Sequence, residues 1–268
     1  MLAATVIVFR EVLEAALIVG IILAATKGVE GSRRWIAMGI AAGLMGSALV
    51  AGSADALNEA LAGVGQELFN ASILVVAVVM LGWHTVWMSS HGREMAMEMQ
   101  RVGHAVSVGN RPLSVLAVVV GVAVLREGAE TVLFIYGVSA SGEESRMATA
   151  IGCGLGLLAG VAIGTLLYVG LVRIPTRSLF TVTTWLVTLL AAGMAAQAVN
   201  YLAAAGILDV ETQPVWDTSP LLEETSIPGR LAHTLIGYVD RPTVSQLAAY
   251  GATLLAITGL ARMTSKSA

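Results

Sequence analysis

"FREVLEAALIVG", residues 9–20, places an arginine and two glutamates inside an apolar helical run near the start of the chain. On an α-helix the three charged residues, Arg10, Glu11 and Glu14, fall within an arc of about 100°, so they form one polar stripe. A charge that faces lipid at mid-membrane costs about 2.5–3.5 kcal/mol on insertion scales. We therefore expect the stripe to face the interior of a helical bundle.

The composition of the whole chain supports a membrane setting for this helix. Of the 268 residues, 56% are hydrophobic and only 12% are charged. The mean hydropathy is +0.81, which lies outside the range of a soluble globular domain. The sequence predicts an all-α integral membrane protein with a single transmembrane domain over residues 1–268.

Seven apolar stretches are long enough to cross a bilayer, which requires about 20 residues each. They lie near residues 3–26, 35–54, 68–89, 113–138, 147–172, 179–205 and 244–262. Glycines recur at every fourth residue at Gly39 and Gly43 and at Gly156, Gly160 and Gly164, which indicates close helix packing. The stretch IPGRLAHTLIGYV, 227–239, is too short to span and predicts an interfacial helix on the outer surface.

Loop charges predict the orientation of these spans. Basic residues concentrate in three loops, at Lys27, Arg33, Arg34, Arg93, Arg101, Arg111, Arg173 and Arg177. Acidic residues concentrate in the alternate loops, at Asp55, Glu59, Glu67, Glu143, Glu144, Asp209, Glu211, Asp217, Glu223 and Glu224. The positive-inside rule then places the N-terminus outside and the C-terminus inside.

The charged motif occurs a second time, in LREGAETVLFIYG at residues 125–137. Arg126, Glu127 and Glu130 repeat the spacing of the first motif at an offset of three predicted spans. Since three is odd, the two copies would cross the membrane in opposite directions, as in the inverted repeats of many transporters. We predict one repeat at about 1–90, a second at about 111–205, an outer loop at 206–242 and an added seventh helix at about 243–263.

Together the two motifs predict a place for a cation. Four glutamates against two arginines leave two uncompensated negative charges in a low-dielectric interior. The alternative is a structural ion-pair cluster through which nothing passes, although buried pairs are weak evidence for stability. Carboxylate oxygens suit magnesium, calcium, manganese or oxidised iron better than copper(I) or zinc. Residue chemistry alone leaves the metal open.

Polar residues at the outer ends of the third and sixth spans allow two interpretations. Glu67 and Asn70 occupy matching places to Gln197 and Asn200 in the two repeats, and each pair shares a helical face. The four side chains could form an outer vestibule that passes a hydrated ion inward. They could equally make ordinary hydrogen bonds between helices.

Two features near the inner side are better explained by structure than by metal binding. His84 lies beside Trp83 and Trp87 near the inner end of the third span, where an aromatic belt is expected. The segment REMAMEMQ, 93–100, spaces three methionines along a charged stretch, which is typical of an amphipathic helix in the cytoplasm. A soft-metal site there is the less favoured interpretation.

The motifs REVLE, 10–14, and REGAE, 126–130, resemble those of the oxidase-dependent iron transporter family. The stretch GYVDRPT, 237–243, resembles the bacterial EfeU-type branch of that family. The similarity extends along essentially the whole chain, and the family consists of iron permeases. The resemblance therefore implies a high-affinity iron permease of the bacterial cytoplasmic (inner) membrane, with iron as its substrate.

The resemblance also implies roles for individual residues. The translocation ligands would be Glu11, Glu14, Glu127 and Glu130, with Arg10 and Arg126 as their charge partners. The fungal branch uses an acidic outer-loop motif, for which the loop here offers Asp217, Glu223 and Glu224 at a different spacing. Besides membrane lipid, the expected partner is an iron-oxidising or iron-delivering protein outside the membrane. No cofactor and no nucleic acid are expected.

Two other classes of function are open to the same sequence. The glutamates could serve a carrier of manganese, lead or protons, which metal competition in a flux assay would separate from an iron permease. An intramembrane enzyme would need a catalytic set such as H-E-x-x-H or G-x-S-x-G, and the sequence contains neither. No Walker motif is present either. An enzyme is therefore not expected.

The predicted orientation can be tested with reporters fused after Ala268. An odd number of crossings from an outer N-terminus places the C-terminus inside, so a reporter that works only in the cytoplasm should be active there. A second reporter, which works only in the periplasm, is the control and should be inactive. The opposite result would contradict the predicted topology.

Overall fold

The computed structural model describes the backbone of residues 1–61, 66–140, 145–170, 176–208 and 213–267. Side chains are described over the same ranges except at 54–61, 66, 176–179, 227, 234 and 265–267. Several charged residues used above to predict the orientation have side chains outside the described part, namely Asp55, Glu59, Glu143, Glu144, Arg173, Arg177, Asp209 and Glu211.

Eight α-helices form the described part of the chain, which contains no β-strand. They are α1 (Leu2–Ala25), α2 (Ser32–Leu61), α3 (Gln66–Ser107), α4 (Ser114–Ala140), α5 (Arg146–Val169), α6 (Thr176–Ala204), α7 (Ile227–Ile236) and α8 (Val244–Ser267). The all-α prediction is thus confirmed. With ten residues, or about 15 Å, α7 is the short helix predicted within 227–239.

Five stretches of helix are long and apolar enough to cross a membrane. They are Ser32–Ser53, Glu67–Ser107, Arg146–Val169, Phe180–Ala204 and Val244–Thr264. The helices α1 and α4 have sufficient length, 24 and 27 residues, but each carries three charged residues near its middle. The chain is a multi-pass helical membrane protein.

The helix α3 is much longer than the predicted span at 68–89. Residues 90–107 continue the helix, which confirms the helix predicted at 93–100 and joins it to the third span without a break. Strong helix formers in this stretch explain the extension, and Gly109, with φ of +79°, follows its end. The 42 residues measure about 63 Å, roughly twice the hydrocarbon thickness of a bilayer. The predicted repeat boundary at about 90 falls inside α3.

Two apolar clusters form the described core. The first apolar cluster joins α1, α3, α4, α6 and α8 through Ala3, Ile7, Leu74, Ala77, Leu81, Phe134, Val138, Val187, Leu190, Ala191, Met194, Ala198 and Ile257. The second apolar cluster joins α1, α2, α3 and α4 through Ile18, Ile22, Ile36, Val106, Leu116, Val120 and Val124. The charged motifs of α1 and α4 lie between the two clusters.

The two motif helices run in opposite directions. The start of α1 and the end of α4 share the first apolar cluster, through Ile7 and Phe134. The end of α1 and the start of α4 share the second, through Ile22 and Leu116. The helix α3 runs parallel to α1, because its first half contributes to the first cluster and its last turn to the second.

Glycines bring two pairs of helices close together. A Cβ atom added at Gly156 of α5 would lie 2.6 Å from the carbonyl oxygen of Thr5 on α1. A Cβ atom added at Gly39 of α2 would lie 2.6 Å from the carbonyl oxygen of Ala117 on α4. The close packing indicated by the glycine spacing is thus confirmed for both pairs.

The contact between α1 and α5 can be tested by adding a single methyl group. Gly156→Ala should destabilise the protein by about 1–3 kcal/mol, because the new Cβ would overlap the α1 backbone. Gly154→Ala on the same helix is the matched control, since a Cβ there meets nothing within 4 Å. The control should be neutral or stabilising by up to about 1 kcal/mol. Equal unfolding temperatures for the two variants in detergent would contradict this packing.

Candidate metal site

The charged stripe of α1 faces the protein interior, as its sequence predicts. Arg10, Glu11 and Glu14 are only 1–3% exposed. The Nε atom of Arg10 lies 3.0 Å from Oε1 of Glu14, and its Nη1 atom lies 3.6 Å from Oε1 of Glu11. The closer partner is the residue one helical turn further along, which a helix brings to the same face.

The second motif repeats this pairing on α4 but lies nearer the protein surface. Arg126 donates a 3.0 Å hydrogen bond from Nε to Oε1 of Glu130, and the same Nε lies 3.9 Å from Oε1 of Glu127. The Arg126 side chain is 35% exposed. Its guanidinium group lies 4.5 Å from the ring centre of Trp87, a cation–π contact. The charged cluster is therefore closed around the first motif and open at one edge of the second.

The structure adds a histidine to this cluster. His84 on α3 is 3% exposed. Its Nδ1 atom contacts Oε2 of Glu130, and its Nε2 atom lies 3.4 Å from Oε2 of Glu14 and 4.0 Å from Oε2 of Glu11. The aromatic-belt interpretation is wrong for His84, because α3 turns this side chain inward while the neighbouring Trp83 is 72% exposed. A polar residue in the middle of an apolar span is the signal that could have indicated it.

Four potential ligands converge within this cluster. Glu11, His84, Glu127 and Glu130 each offer one atom, and these atoms lie within 4.8 Å of one another. Atoms bound to one metal ion at about 2.1 Å are at most about 4.2 Å apart, so small side-chain shifts would complete a shell. Both carboxylate oxygens of Glu11 and Oε2 of Glu127 are buried without a hydrogen-bond partner among the described residues. Such oxygens suit a bound cation.

The structure brings the predicted charged residues together but does not join the predicted outer path to them. Glu67 and Asn200 are exposed, while Asn70 and Gln197 are half-buried. Glu67, the one carboxylate among the four, does not belong to the converging ligands found among the described residues. Their vestibule role stays a prediction.

The acidic residues in the segment between α6 and α8 have partners of their own. Asp217 lies 3.0 Å from Nη2 of Arg241. Glu224 lies 3.1 Å from Nδ1 of His233, and this hydrogen bond lowers the pKa of the Glu224 carboxyl. The Glu223 side chain is exposed. The structure does not bring these acidic residues to the motif glutamates, and local contacts account for two of them.

The stretch GYVDRPT, 237–243, makes several of the contacts that order the segment between α6 and α8. Its first residue, a glycine with φ of +67°, ends α7. The hydroxyl group of Tyr238 lies 2.6 Å from Oγ1 of Thr218. Thr243 and Gln246 form reciprocal hydrogen bonds at the start of α8, in the manner of a capping box. This stretch therefore ties α7 and α8 to the loop between α6 and α7.

A multi-pass helical fold with four carboxylates, two guanidinium groups and an imidazole gathered inside it is that of a membrane transport protein, since ionisable residues inside a bundle mark ion paths. The chain matches the iron permease FTR1 family over residues 1–264 and belongs to that family. It is therefore an iron permease, a transporter and not an enzyme.

Named relatives are similar over most of the chain. The ferrous iron permease EfeU of Escherichia coli (strain UTI89 / UPEC) is 34% identical over 248 residues, which cover 91% of this chain and 89% of that protein. The ferrous iron permease EfeU of Shigella sonnei (strain Ss046) is likewise 34% identical over 248 residues, with 91% and 89% covered. No solved structure matches the chain.

The unequal burial of the two arginines can be tested by removing each of them. Arg10→Met should cost about 3–5 kcal/mol, because it leaves buried carboxylates without their partner. Arg126→Met should cost less, about 1.5–3 kcal/mol, since water can replace part of its contact with Glu130. Thermal unfolding of both variants in detergent measures the difference. Equal losses of stability would contradict the asymmetry between the motifs.

Proposed function

We propose that this iron permease carries ferrous iron across the bacterial cytoplasmic (inner) membrane through a site lined by the glutamates of both R-E-x-x-E motifs, Glu11, Glu14, Glu127 and Glu130. The observation that carries the proposal is the convergence of ligand atoms from both motifs and from α3 within 4.8 Å. The relatives named as ferrous iron permeases support the ferrous ion as the substrate.

Charge balance favours a cation at this site. Four carboxylates face two guanidinium groups, so two negative charges have no counter-charge when the imidazole is neutral, and one has none when it is protonated. Taking an unpaired charge out of water costs several kcal/mol even after the protein relaxes. A dication between the motifs would supply the missing charge and a partner for the buried oxygens of Glu11 and Glu127. A purely structural ion-pair cluster would leave Oε2 of Glu127 buried without a partner among the described residues.

Helix packing is consistent with seven crossings arranged as two inverted repeats. The charges of α1 and α4 face inward, so these helices can join the five apolar ones in the membrane. The helix α2 packs along α4, and α5 packs along α1. The second helix of each half thus packs against the first helix of the other half. This arrangement is expected when two three-helix halves are related by a two-fold axis in the membrane plane. The helix α8 is then the added seventh span.

The open edge of the cluster fits a state that is closed toward the outside. With the N-terminus outside, the first apolar cluster lies on the outer side of the ligands and the second on the inner side. Because α4 runs from the second cluster to the first, Arg126 lies on the second-cluster side of Glu130. Because α3 runs the other way, Trp87 lies on the second-cluster side of His84. The exposed edge beside Trp87 therefore lies on the inner side.

The outer partner expected from the resemblance belongs to the same proposal. An iron-oxidising or iron-delivering protein would face the outer segment, in which Trp216 and Leu221 are 45% and 89% exposed. A carrier of manganese, lead or protons that uses the same glutamates is the alternative function. Such a carrier differs from an iron permease in two measurable properties: the set of ions that compete for uptake, and the response of uptake to a pH gradient.

Uptake of radioactive ferrous iron into proteoliposomes tests the glutamate path. Replacing any one of the four motif glutamates by glutamine should lower uptake at least about tenfold, because each change removes a charged ligand or a carboxylate that orients one. Glu127→Gln is the sharpest variant, since the nearest guanidinium nitrogen, Nε of Arg126, is 3.9 Å away. Removing the Glu127 charge should therefore leave the fold intact, which size-exclusion chromatography would verify.

Glu98→Gln is the matched control for these variants. Glu98 lies on the distal half of α3, is exposed and pairs only weakly with Arg101 at 3.6 Å, so uptake should stay normal. Normal uptake by Glu127→Gln would remove the ion path from the motif. The same vesicles supplied with ferric iron, manganese or lead, or given a pH gradient, separate the alternative carriers from an iron permease.

A further inference from the structure

We propose that His84 is a nitrogen ligand of the transported ion and that it gives the site its preference for ferrous iron over magnesium, calcium and manganese. The inference rests on the proposed function, because it concerns the same group of side chains. His84 comes from α3, which carries no R-E-x-x-E motif. It adds the one type of ligand atom that the two motifs lack.

The imidazole ring of His84 lies between the two motifs. Its Nδ1 atom contacts Glu130 of α4, and its Nε2 atom lies 3.4 Å from Oε2 of Glu14 on α1. The side chain is buried, and each of its ring nitrogens faces a carboxylate oxygen of a different motif. A buried ring with a carboxylate at each nitrogen is placed for coordination rather than for packing alone.

Glu14 has a different position from the other motif glutamates. Arg10 holds one of its oxygens at 3.0 Å, and the other oxygen faces Nε2 of His84. Metal-binding histidines usually donate the N–H of their second ring nitrogen to a carboxylate, which fixes the tautomer and the ring orientation. Glu14 fits that orienting role, which leaves Nδ1 as the ligating atom. The other three motif glutamates complete the ligand set with His84.

Three carboxylates and one imidazole favour a first-row transition-metal dication. Carboxylate oxygens alone suit magnesium, calcium and manganese, whereas imidazole also suits iron, zinc, copper and nickel. For a given nitrogen and oxygen site, affinity increases from manganese to ferrous iron. The imidazole therefore gives ferrous iron an advantage over the hard cations, and the absence of thiolate among these ligands disfavours copper(I).

The packing of α3 fixes the direction of His84. Leu81, nearly one turn earlier, is buried in the first apolar cluster, and the His84 ring meets Phe134 edge-on at 6.5 Å between ring centres. A Cβ atom added at Gly82 would lie 3.3 Å from Cγ1 of Ile257 on α8. Rotation of α3 would break these contacts, so the ligand is held in place before the ion arrives.

Competition uptake in proteoliposomes tests this role. His84→Gln should lower ferrous iron uptake at limiting concentration at least about tenfold and should let manganese compete more strongly, because only oxygen ligands remain. His84→Asp, which adds a carboxylate, should shift the preference further toward manganese. His104→Gln is the matched control, since His104 is exposed near the end of the same helix. Unchanged selectivity in folded His84→Gln protein would overturn the proposal.

X-ray absorption covers the case in which the His84 variants do not fold. The chain has four histidines, so replacing His91, His104 and His233 by glutamine leaves His84 as the only imidazole. Ferrous iron bound to this triple variant should show the outer-shell scattering of one imidazole ligand. A spectrum with oxygen ligands alone would overturn the assignment of His84.

The two proposals fail in distinguishable ways. If Glu127→Gln transports iron normally, iron does not use the motif site and the proposed function is wrong. If Glu127→Gln is inactive while His84→Gln keeps the wild-type ratio of iron to manganese uptake, the motif site is right and the role of His84 is wrong.

Discussion

The constraint on which the rest of this structure depends is the gathering of four carboxylates inside a helical bundle, three of them buried and the fourth, Glu130, partly exposed. In a low-dielectric interior, charges interact strongly and unpaired charges are expensive. Each motif therefore carries its own arginine one turn from a glutamate, and His84 lies between the two sets. Apolar clusters lie on either side of these charges. At the proposed site, a cation would meet carboxylates whose charges are only partly compensated.

Bringing ligands from three helices to one point requires those helices to lie close together, and small residues make this possible. The second motif shows that close helix packing and the gathering of these side chains depend on neighbouring residues. Its middle residue, Gly128, faces Ser47 of α2 with no room for a Cβ atom, while Glu127 and Glu130 beside it join the ligands. One face of α4 thus packs against α2 as its other face builds the site.

The two motifs have the same spacing but different surroundings. Arg10 is enclosed, whereas Arg126 lies against Trp87 at the edge of the cluster and is partly exposed. An internal repeat that crosses the membrane in both directions presents the same residues to opposite sides. In the proposed inverted repeat, the two copies would face opposite sides, so a single conformation would expose them unequally. The difference in burial between the two arginines is consistent with that proposed arrangement.

The sequence by itself determined the helical class, the apolar spans, the duplicated motif and the inward direction of its charges, because hydrophobic transfer and the cost of a lipid-facing charge are properties of short local stretches. Local composition also predicted the helix at 93–100, although not that it continues the third span without a break. Only the tertiary structure decided that His84 joins the glutamates and that Arg126 is the exposed arginine. Distances between side chains on different helices depend on how the helices rotate and pack, and a single histidine has no periodic partner in the sequence to reveal the direction it faces.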